Sequence, residues 1–424
     1  MIQVIQADGR AEQARIAAMR ARAAEVGADI EEAVSAVMGA VKEKSLSAVE
    51  AYSLKFDGKI PYEIPREELE AAYDRCADEL IAAMERAAAN IRDYNEKLLV
   101  QSMEWTSPDG GTVGRVVRGL TRVGLYVPGG TAAYPSSVLM NAVPAKVAGV
   151  EELIMVTPPT ENLNDAVLAA AKIAGVDRVI AVGGAQAIAA LTFGAGFIPK
   201  VDKLVGPGNA FVATAKRLAY GKVDIDMVAG PSEVLVIADE TANPAYVAAD
   251  LLSQAEHDRL ASAVLLTTSM ELARAVDAEI VRQAGYLSRS DIMEASLRDF
   301  GCAIVCDSLE QAISLANEIA PEHLEIVTED PRAVLPEIRN AGAVFLGEWS
   351  PEPLGDYLAG PSHVLPTSGT ARFFSPLSVD SFLKTMSIVA YSRDTLAPIR
   401  EQVVAMAEAE HLTAHANSIR VRFE

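Results

Sequence analysis

The sequence predicts an α/β protein built from two consecutive, doubly wound parallel-sheet units. Three observations lead there. After Trp105 and the turn Ser107-Pro-Asp-Gly-Gly111, short Val/Ile/Leu runs alternate with Ala-rich amphipathic segments. That alternation runs through once and then starts again at similar size. Finally, 50% of the 424 residues are hydrophobic and 22% charged, a globular composition in a chain long enough for several domains without disulfides or structural metals.

Residues 1 to about 100 read as helices rich in Ala, Glu and Arg, with Ile30, Ala33, Val34 and Val37 at i, i+3, i+4 and i+7, and with Pro61 and Pro65 as interruptions. Strands follow near Val123–Val127, Glu152–Thr157, Arg178–Val182 and Lys203–Val205, with helices near Ser136–Ala148, Asn164–Ala174, Ala185–Phe193 and Asn209–Tyr220. In the second unit, strands near Glu233–Ala238, Ala263–Thr267, Ala303–Cys306, Glu325–Val327 and Ala343–Phe345 alternate with helices near Ala245–Ala255, Glu271–Ala284, Leu309–Ile319 and Ala333–Ile338. From about Asp380 the chain reads as helical again, with Ser418–Phe423 a candidate short strand.

The resulting plan has an N-terminal helical segment (1–25), a helical region (26–118) packing with the second α/β unit, two Rossmann-like units (119–231 and 232–378) and a helical tail (379–424). The N-terminal helices and the tail belong to neither unit, so they are candidates for packing against another subunit.

Charge and thiol content narrow the function. With 37 Lys+Arg against 58 Asp+Glu the net charge is −21, which argues against nucleic-acid binding and favours solubility. Cys76, Cys302 and Cys306 form neither a disulfide framework nor a thiolate zinc site and suit a reducing cytosol. Met1 to Glu25 lacks the apolar core of a signal peptide, and no run reaches a membrane span. A soluble cytoplasmic protein is the expectation.

Only five histidines exist, and they concentrate the chemistry. Ser253-Gln-Ala-Glu-His-Asp258 closes a helix, placing Gln254 and His257 on one face, where an amide oxygen and an imidazole could meet one cation. Taken alone, the pair fits a helix-capping histidine better. In Ala320-Pro-Glu-His-Leu324, Glu322 and His323 stand at the end of an α/β connection, where such sheets place active sites. They could share general base work or be a solvated turn pair.

The Gly/Pro-rich segment Pro353-Leu-Gly-Asp-Tyr357 and Ala359-Gly-Pro-Ser-His-Val-Leu-Pro366 presents Asp356. Glu410-His-Leu-Thr-Ala-His415 offers two histidines at i, i+4, or simply a solvated helix end. Ile225-Asp-Met-Val-Ala-Gly-Pro-Ser-Glu233 points Ser232 and Glu233 into an inter-unit crevice. No Gly-x-Gly-x-x-Gly or P-loop is present. The Gly-rich turns Val127-Pro-Gly-Gly130, Val182-Gly-Gly-Ala-Gln186 and Gly206-Pro-Gly-Asn209 each fit either phosphate approach or an ordinary βα turn. His363 and His411 read as packing or solvated.

Over essentially its whole length the chain resembles the histidinol dehydrogenases. The resemblance rests on Ile225 to Glu233 running on to Ser253-Gln-Ala-Glu-His257, with Ala320-Pro-Glu-His-Leu-Glu325, Gly355-Asp356, Gly360-Pro-Ser-His-Val-Leu-Pro366 and Ser375-Pro-Leu-Ser-Val379. Val228 replaces the family's usual Pro, away from any proposed ligand.

The resemblance implies a zinc-dependent, NAD-linked oxidation of L-histidinol through the aldehyde to L-histidine, the last step of histidine biosynthesis, by a homodimer with interlocked tails. It implies Gln254, His257, Asp356 and His415 as zinc ligands, His415 coming from the other subunit. Glu322 and His323 become the acid/base pair, and Tyr126, Gln186 and Asn209 the NAD contacts. Ser232, Glu410 and His323 contact substrate, as do the zinc-site residues Gln254, His257, Asp356 and His415.

A paralogous dehydrogenase acting on a sulfonated diol would want Arg or Lys where Glu410 and His415 stand. A non-catalytic metal or nucleotide binder would not need the Glu322–His323 pair.

Overall fold

A computed structural model describes residues 2–21, 28–129, 134–160 and 163–424. Gly130 of the first Gly-rich turn and residues 22–27, where the N-terminal segment was placed to end, lie outside them.

Two six-stranded sheets carry the molecule. The first runs in the order Tyr62–Ile64, Arg178–Ala181, Glu152–Thr157, Arg122–Tyr126, Lys203–Val205, Asp224–Ile225. The second runs Gln3–Gln6, Cys302–Val305, Ser262–Thr267, Glu233–Ala238, His323–Val327, Ala343–Leu346. In each, the strand that opens the α/β unit is central and the chain winds to one side, returns, and winds to the other. The expected pair of doubly wound units is therefore present, with one common strand order.

Side-chain alternation explains why both faces need helices. Along the first sheet Leu125, Leu153, Met155 and Val179 face one apolar core with the helices Pro135–Val147 and Asp165–Ala174. Tyr126, Ile154, Val156 and Ile180 face the other with Gly184–Phe193 and Ala210–Ala219.

Several expectations are corrected. The helices of region 26–118 pack chiefly on the first unit rather than the second. Val34, Val37, Met38 and Val41 bury against Ile188 and Leu191, and Ile81, Met84 and Ile91 against the Pro135–Val147 face. Their apolar stripes complete the outer layers of the sheet that follows directly in the chain. The long helix Asp78–Leu98 also meets the 358–382 segment, where Asn90 Nδ2 donates to the Leu358 carbonyl at 2.7 Å and Asn95 Oδ1 accepts from Val379 N–H at 2.8 Å.

The N-terminal stretch is not all helix either. Gln3–Gln6 adds a parallel edge strand to the second sheet, and Tyr62–Ile64 an antiparallel one to the first. Residues after Asp380 are not helical at once, because Leu383–Ala390 pairs antiparallel with Thr112–Gly119, which pairs with Met103–Thr106. Ser418–Phe423 is no strand, since the helix Thr413–Arg420 runs through its start. No helix among the described residues is long and apolar enough to cross a membrane.

Candidate active site

A cleft of about 380 Å³ lies between the two sheets. The first sheet contributes Pro128 and the turn Gly206-Pro207-Gly208 from its carboxyl ends. The second contributes Ser232, Glu322 and His323, which begin or precede the strands Glu233–Ala238 and His323–Val327. Glu322 and His323 thus sit at the end of a helix-to-strand connection, as expected, which is the amino end of their strand and not the carboxyl end at which such sheets usually place active sites. The cause is local. The helix Leu309–Ile319 ends on Ala320 in the left-handed region (φ 54), which turns the chain so that Pro321-Glu322-His323 enters the sheet facing the cleft.

Both side chains are buried and pinned to the neighbouring strand. Glu322 Oε2 accepts from the Glu233 N–H at 2.9 Å, and His323 Nδ1 lies 3.0 Å from the Glu233 carbonyl oxygen. A carbonyl only accepts, so Nδ1 carries the proton and Nε2 is left as the reactive nitrogen. Nε2 is buried without a hydrogen-bond partner, 3.7 Å from Glu352 Oε1 and 3.7 Å from Asp356 Oδ1.

Gln254 occupies the last turn of the helix Pro244–Ala255 and His257 follows just past its end, His257 N–H donating to the Gln254 carbonyl at 3.2 Å. Gln254 Oε1 is buried and lacks a hydrogen-bond partner. One ligand atom each of His257, Glu352 and Asp356 lie within 4.8 Å of one another. An imidazole and two carboxylates converging on one point, with an orphaned amide oxygen lining the same cleft, form a mixed donor set suited to a borderline divalent cation.

Glu410 and His415 stand apart. They are exposed on the helix pair Arg400–Ala409 and Thr413–Arg420, which packs on itself through Val404, Ala407 and Ala416, and neither lines this chain's cleft.

Of the residues expected to contact NAD, Tyr126 and Gln186 are buried and Asn209 exposed. The Tyr126 hydroxyl accepts from Gly184 N–H at 3.1 Å, and Gln186 Nε2 donates to Asp57 Oδ2 at 3.2 Å. Asn209 Oδ1 caps the helix Ala210–Ala219, accepting from Phe211 and Val212 N–H. The Gly206 turn is braced from below, where Lys216 Nζ donates to the Gly206 carbonyl at 2.8 Å and pairs with Asp226, whose Oδ2 accepts from Gly206 N–H at 2.8 Å.

A sequence model of the histidinol dehydrogenase family matches residues 20–423. The histidinol dehydrogenase of Clostridium acetobutylicum is 55% identical over 96% of this chain and 95% of its own length. That of Caldanaerobacter subterraneus subsp. tengcongensis is 55% identical over 93% of each. The crystal structure of histidinol dehydrogenase from Elizabethkingia anophelis superposes with a TM-score of 0.94 at 38% identity, covering 100% of this chain and 98% of that one. The chain belongs to the histidinol dehydrogenase family.

As a histidinol dehydrogenase family member it is an oxidoreductase, and its cleft has the electrostatics of a proton-handling site. Burial pushes the Glu322 carboxyl up to about 7 against the pull of His323 and the Glu233 N–H. Burial alone would lower His323, but the carboxylates of Glu322, Asp356 and Glu352 overcome it and raise the imidazole to about 10. Burial likewise opposes Asp356, yet its contact with His323 and the charge of His363 hold it at about 2. Three carboxyl groups stand round one imidazole, and a divalent cation beside them would favour their charged forms.

Sequence reasoning missed Glu352, which stands in an otherwise undistinguished Pro-Glu-Pro, and the Lys216–Asp226 brace, whose members lie ten residues apart. It also set His363 aside. That imidazole lines the cleft, Nδ1 3.2 Å from the Asp356 carbonyl oxygen and Nε2 3.3 Å from Ser137 Oγ, and the signal available was its place in Gly360-Pro-Ser-His363.

Proposed function

We propose that this protein is a zinc- and NAD-dependent enzyme that oxidises L-histidinol via L-histidinaldehyde to L-histidine, the last step of histidine biosynthesis. The observation that carries the reading is the pinned Glu322–His323 pair, its free Nε2 opening on the same cleft as Gln254, His257 and Asp356. Zinc, held by Gln254, His257, Asp356 and His415 of the partner subunit, would supply a fixed positive charge that orients the substrate's nitrogens. NAD, contacted by Tyr126, Gln186 and Asn209, would accept one hydride in each oxidation.

The chain's own residues divide the remaining work. The surrounding carboxylates keep His323 protonated at neutral pH; a divalent cation beside Asp356 would lower it, freeing Nε2 to take the alcohol proton while the C–H bond breaks, and its Nδ1–H, held by the Glu233 carbonyl, keeps the ring aimed. Glu322 takes a proton from the water that adds to the aldehyde. Its raised pKa places that exchange near neutral pH. Ser232 and Glu410, the latter reaching across from the partner's tail, bind the cationic substrate. We propose further that the enzyme is a cytoplasmic homodimer interlocked through its tails, with 119–231 as the NAD side and 232–378 as the zinc and catalytic side of each chain.

The test is NADH formation with L-histidinol by protein stripped of metal and then resupplied with zinc. Activity should vanish, return, and yield about two NADH per histidinol. Zinc-loaded protein that binds NAD yet leaves histidinol untouched would refute the substrate.

A further inference from the structure

We infer that Asp57 sets the choice of dinucleotide, accepting the free 2′-hydroxyl of the adenosine ribose and repelling a 2′-phosphate. The inference rests on the NAD-dependent reading above and adds a specificity residue to it.

Strand order in the first sheet reverses between Arg122–Tyr126 and Lys203–Val205, where a dinucleotide crosses the carboxyl ends. In sheets of this order a carboxylate near the end of the second strand usually receives the adenosine ribose. Among the described residues that strand ends Thr157-Pro158-Pro159-Thr160 without a carboxylate, and Glu161, which follows, lies outside them. A described carboxylate reaches this end from outside the sheet.

Asp57 is the last residue of the helix Leu46–Asp57, which Gly58 stops at φ 70. Two residues on, Lys59 Nζ donates to the Thr160 carbonyl at 2.9 Å and so ties this segment over the end of the second strand. Asp57 Oδ2 accepts from Gln186 Nε2 at 3.2 Å, and the carboxylate also takes the Gly183 N–H. Its charge reaches the Tyr126 hydroxyl, which itself accepts from Gly184 N–H. One half-buried carboxylate thus gathers the turn after the third strand and both buried side chains assigned to the cofactor.

The turn packs closely on Gln186: Gly184 has φ +63 and a Cβ there would stand 2.7 Å from Gln186 Oε1. A carboxylate has about four acceptor positions, and two are used, so acceptor capacity remains for a ribose hydroxyl. Burial pushes the Asp57 carboxyl up, the mark of a partly dehydrated group. In such surroundings both its hydrogen bond to a neutral hydroxyl and its repulsion of a phosphate dianion are strengthened. Asp226, also on this side of the sheet, is already committed to Lys216 and the Gly206 N–H.

The experiment is calorimetric titration of the full-length, zinc-loaded protein with NAD and with NADP, without histidinol. Wild type should prefer NAD by at least roughly tenfold, and Asp57→Asn should collapse that ratio about tenfold or more by weakening NAD and tightening NADP, while Asp57→Glu keeps it. A purely structural role would weaken both dinucleotides together, and an unchanged ratio in Asp57→Asn overturns the assignment while leaving NAD dependence intact. Independently of any variant, wild type should bind NAD lacking the adenosine 2′-hydroxyl about tenfold more weakly than NAD; equal binding also overturns it. Wild type that binds neither dinucleotide overturns the NAD reading and this inference with it.

Discussion

At the residue scale the chemistry turns on which proton each buried group holds. Glu322 and His323 are neighbours in sequence, yet they face different jobs because the Glu233 peptide bonds one through its N–H and the other through its carbonyl. Glu322→Gln keeps the bond from Glu233 but cannot take a proton from water. We expect aldehyde oxidation to fall roughly 10²–10⁴-fold and alcohol oxidation far less, measured as two separate half-reactions; equal losses would contradict the division.

Behind the site, burial raises three more carboxyls: Asp250 to about 6, Glu352 to about 8, and Glu325 well above its ordinary value. Groups raised in this way bind more protons folded than unfolded, so their contribution to stability is present below about pH 4.5 and is lost as pH rises towards 8. Glu325→Gln, whose amide keeps an oxygen to accept the Glu352 N–H, should gain roughly 1–2 kcal/mol over wild type at pH 8 and nothing at pH 5. Thermal midpoints of the metal-free protein at both values check this.

At the element scale, the site depends on turns whose backbone tolerates no side chain. Gly206 has φ +107, and a Cβ there would stand 2.1 Å from the Tyr126 carbonyl oxygen. Gly206→Ala therefore sets strain against backbone that cannot yield, at a cost of roughly 2–4 kcal/mol readable in the melting temperature. The turn was visible in the sequence as Gly206-Pro-Gly-Asn209, because Gly and Pro punctuate a strand-to-helix connection. Its brace was not, since nothing local says that Lys216 folds back onto the Gly206 carbonyl.

Edge elements were the least legible. Gln3–Gln6 and Tyr62–Ile64 are only four and three residues long, too short for a period-two pattern. In Thr112–Gly119, Arg115 and Arg118 interrupt the apolar run, and the strand forms by pairing with a segment over 260 residues later.

At the scale of the whole molecule, Gln254, His257 and Asp356 converge in one cleft while Glu410 and His415 lie exposed on the tail. Under the interlocked-dimer proposal each cleft is finished by the other chain's tail. Two inactive variants, His257→Ala and His415→Ala, should then rebuild one intact site in every mixed dimer. Random mixing should recover about a quarter of wild-type activity. No recovery, with mixed dimers demonstrated by mass, would place the whole site within one chain.

The sequence by itself determined the double α/β architecture, because hydrophobic period and Gly/Pro punctuation are local properties that survive without the fold. It also determined the pairs Gln254–His257 and Glu322–His323, whose members are close along the chain. It took the tertiary structure to bring Glu352 to His257 and Asp356, to place His363 in the cleft, to carry Asp57 to Gln186 across 129 residues, and to turn the amino ends of the second sheet to the site. Those facts depend on how distant segments pack, and burial, not residue type, is what lifts carboxyls such as Glu322 and Glu352 to where they exchange protons near neutral pH.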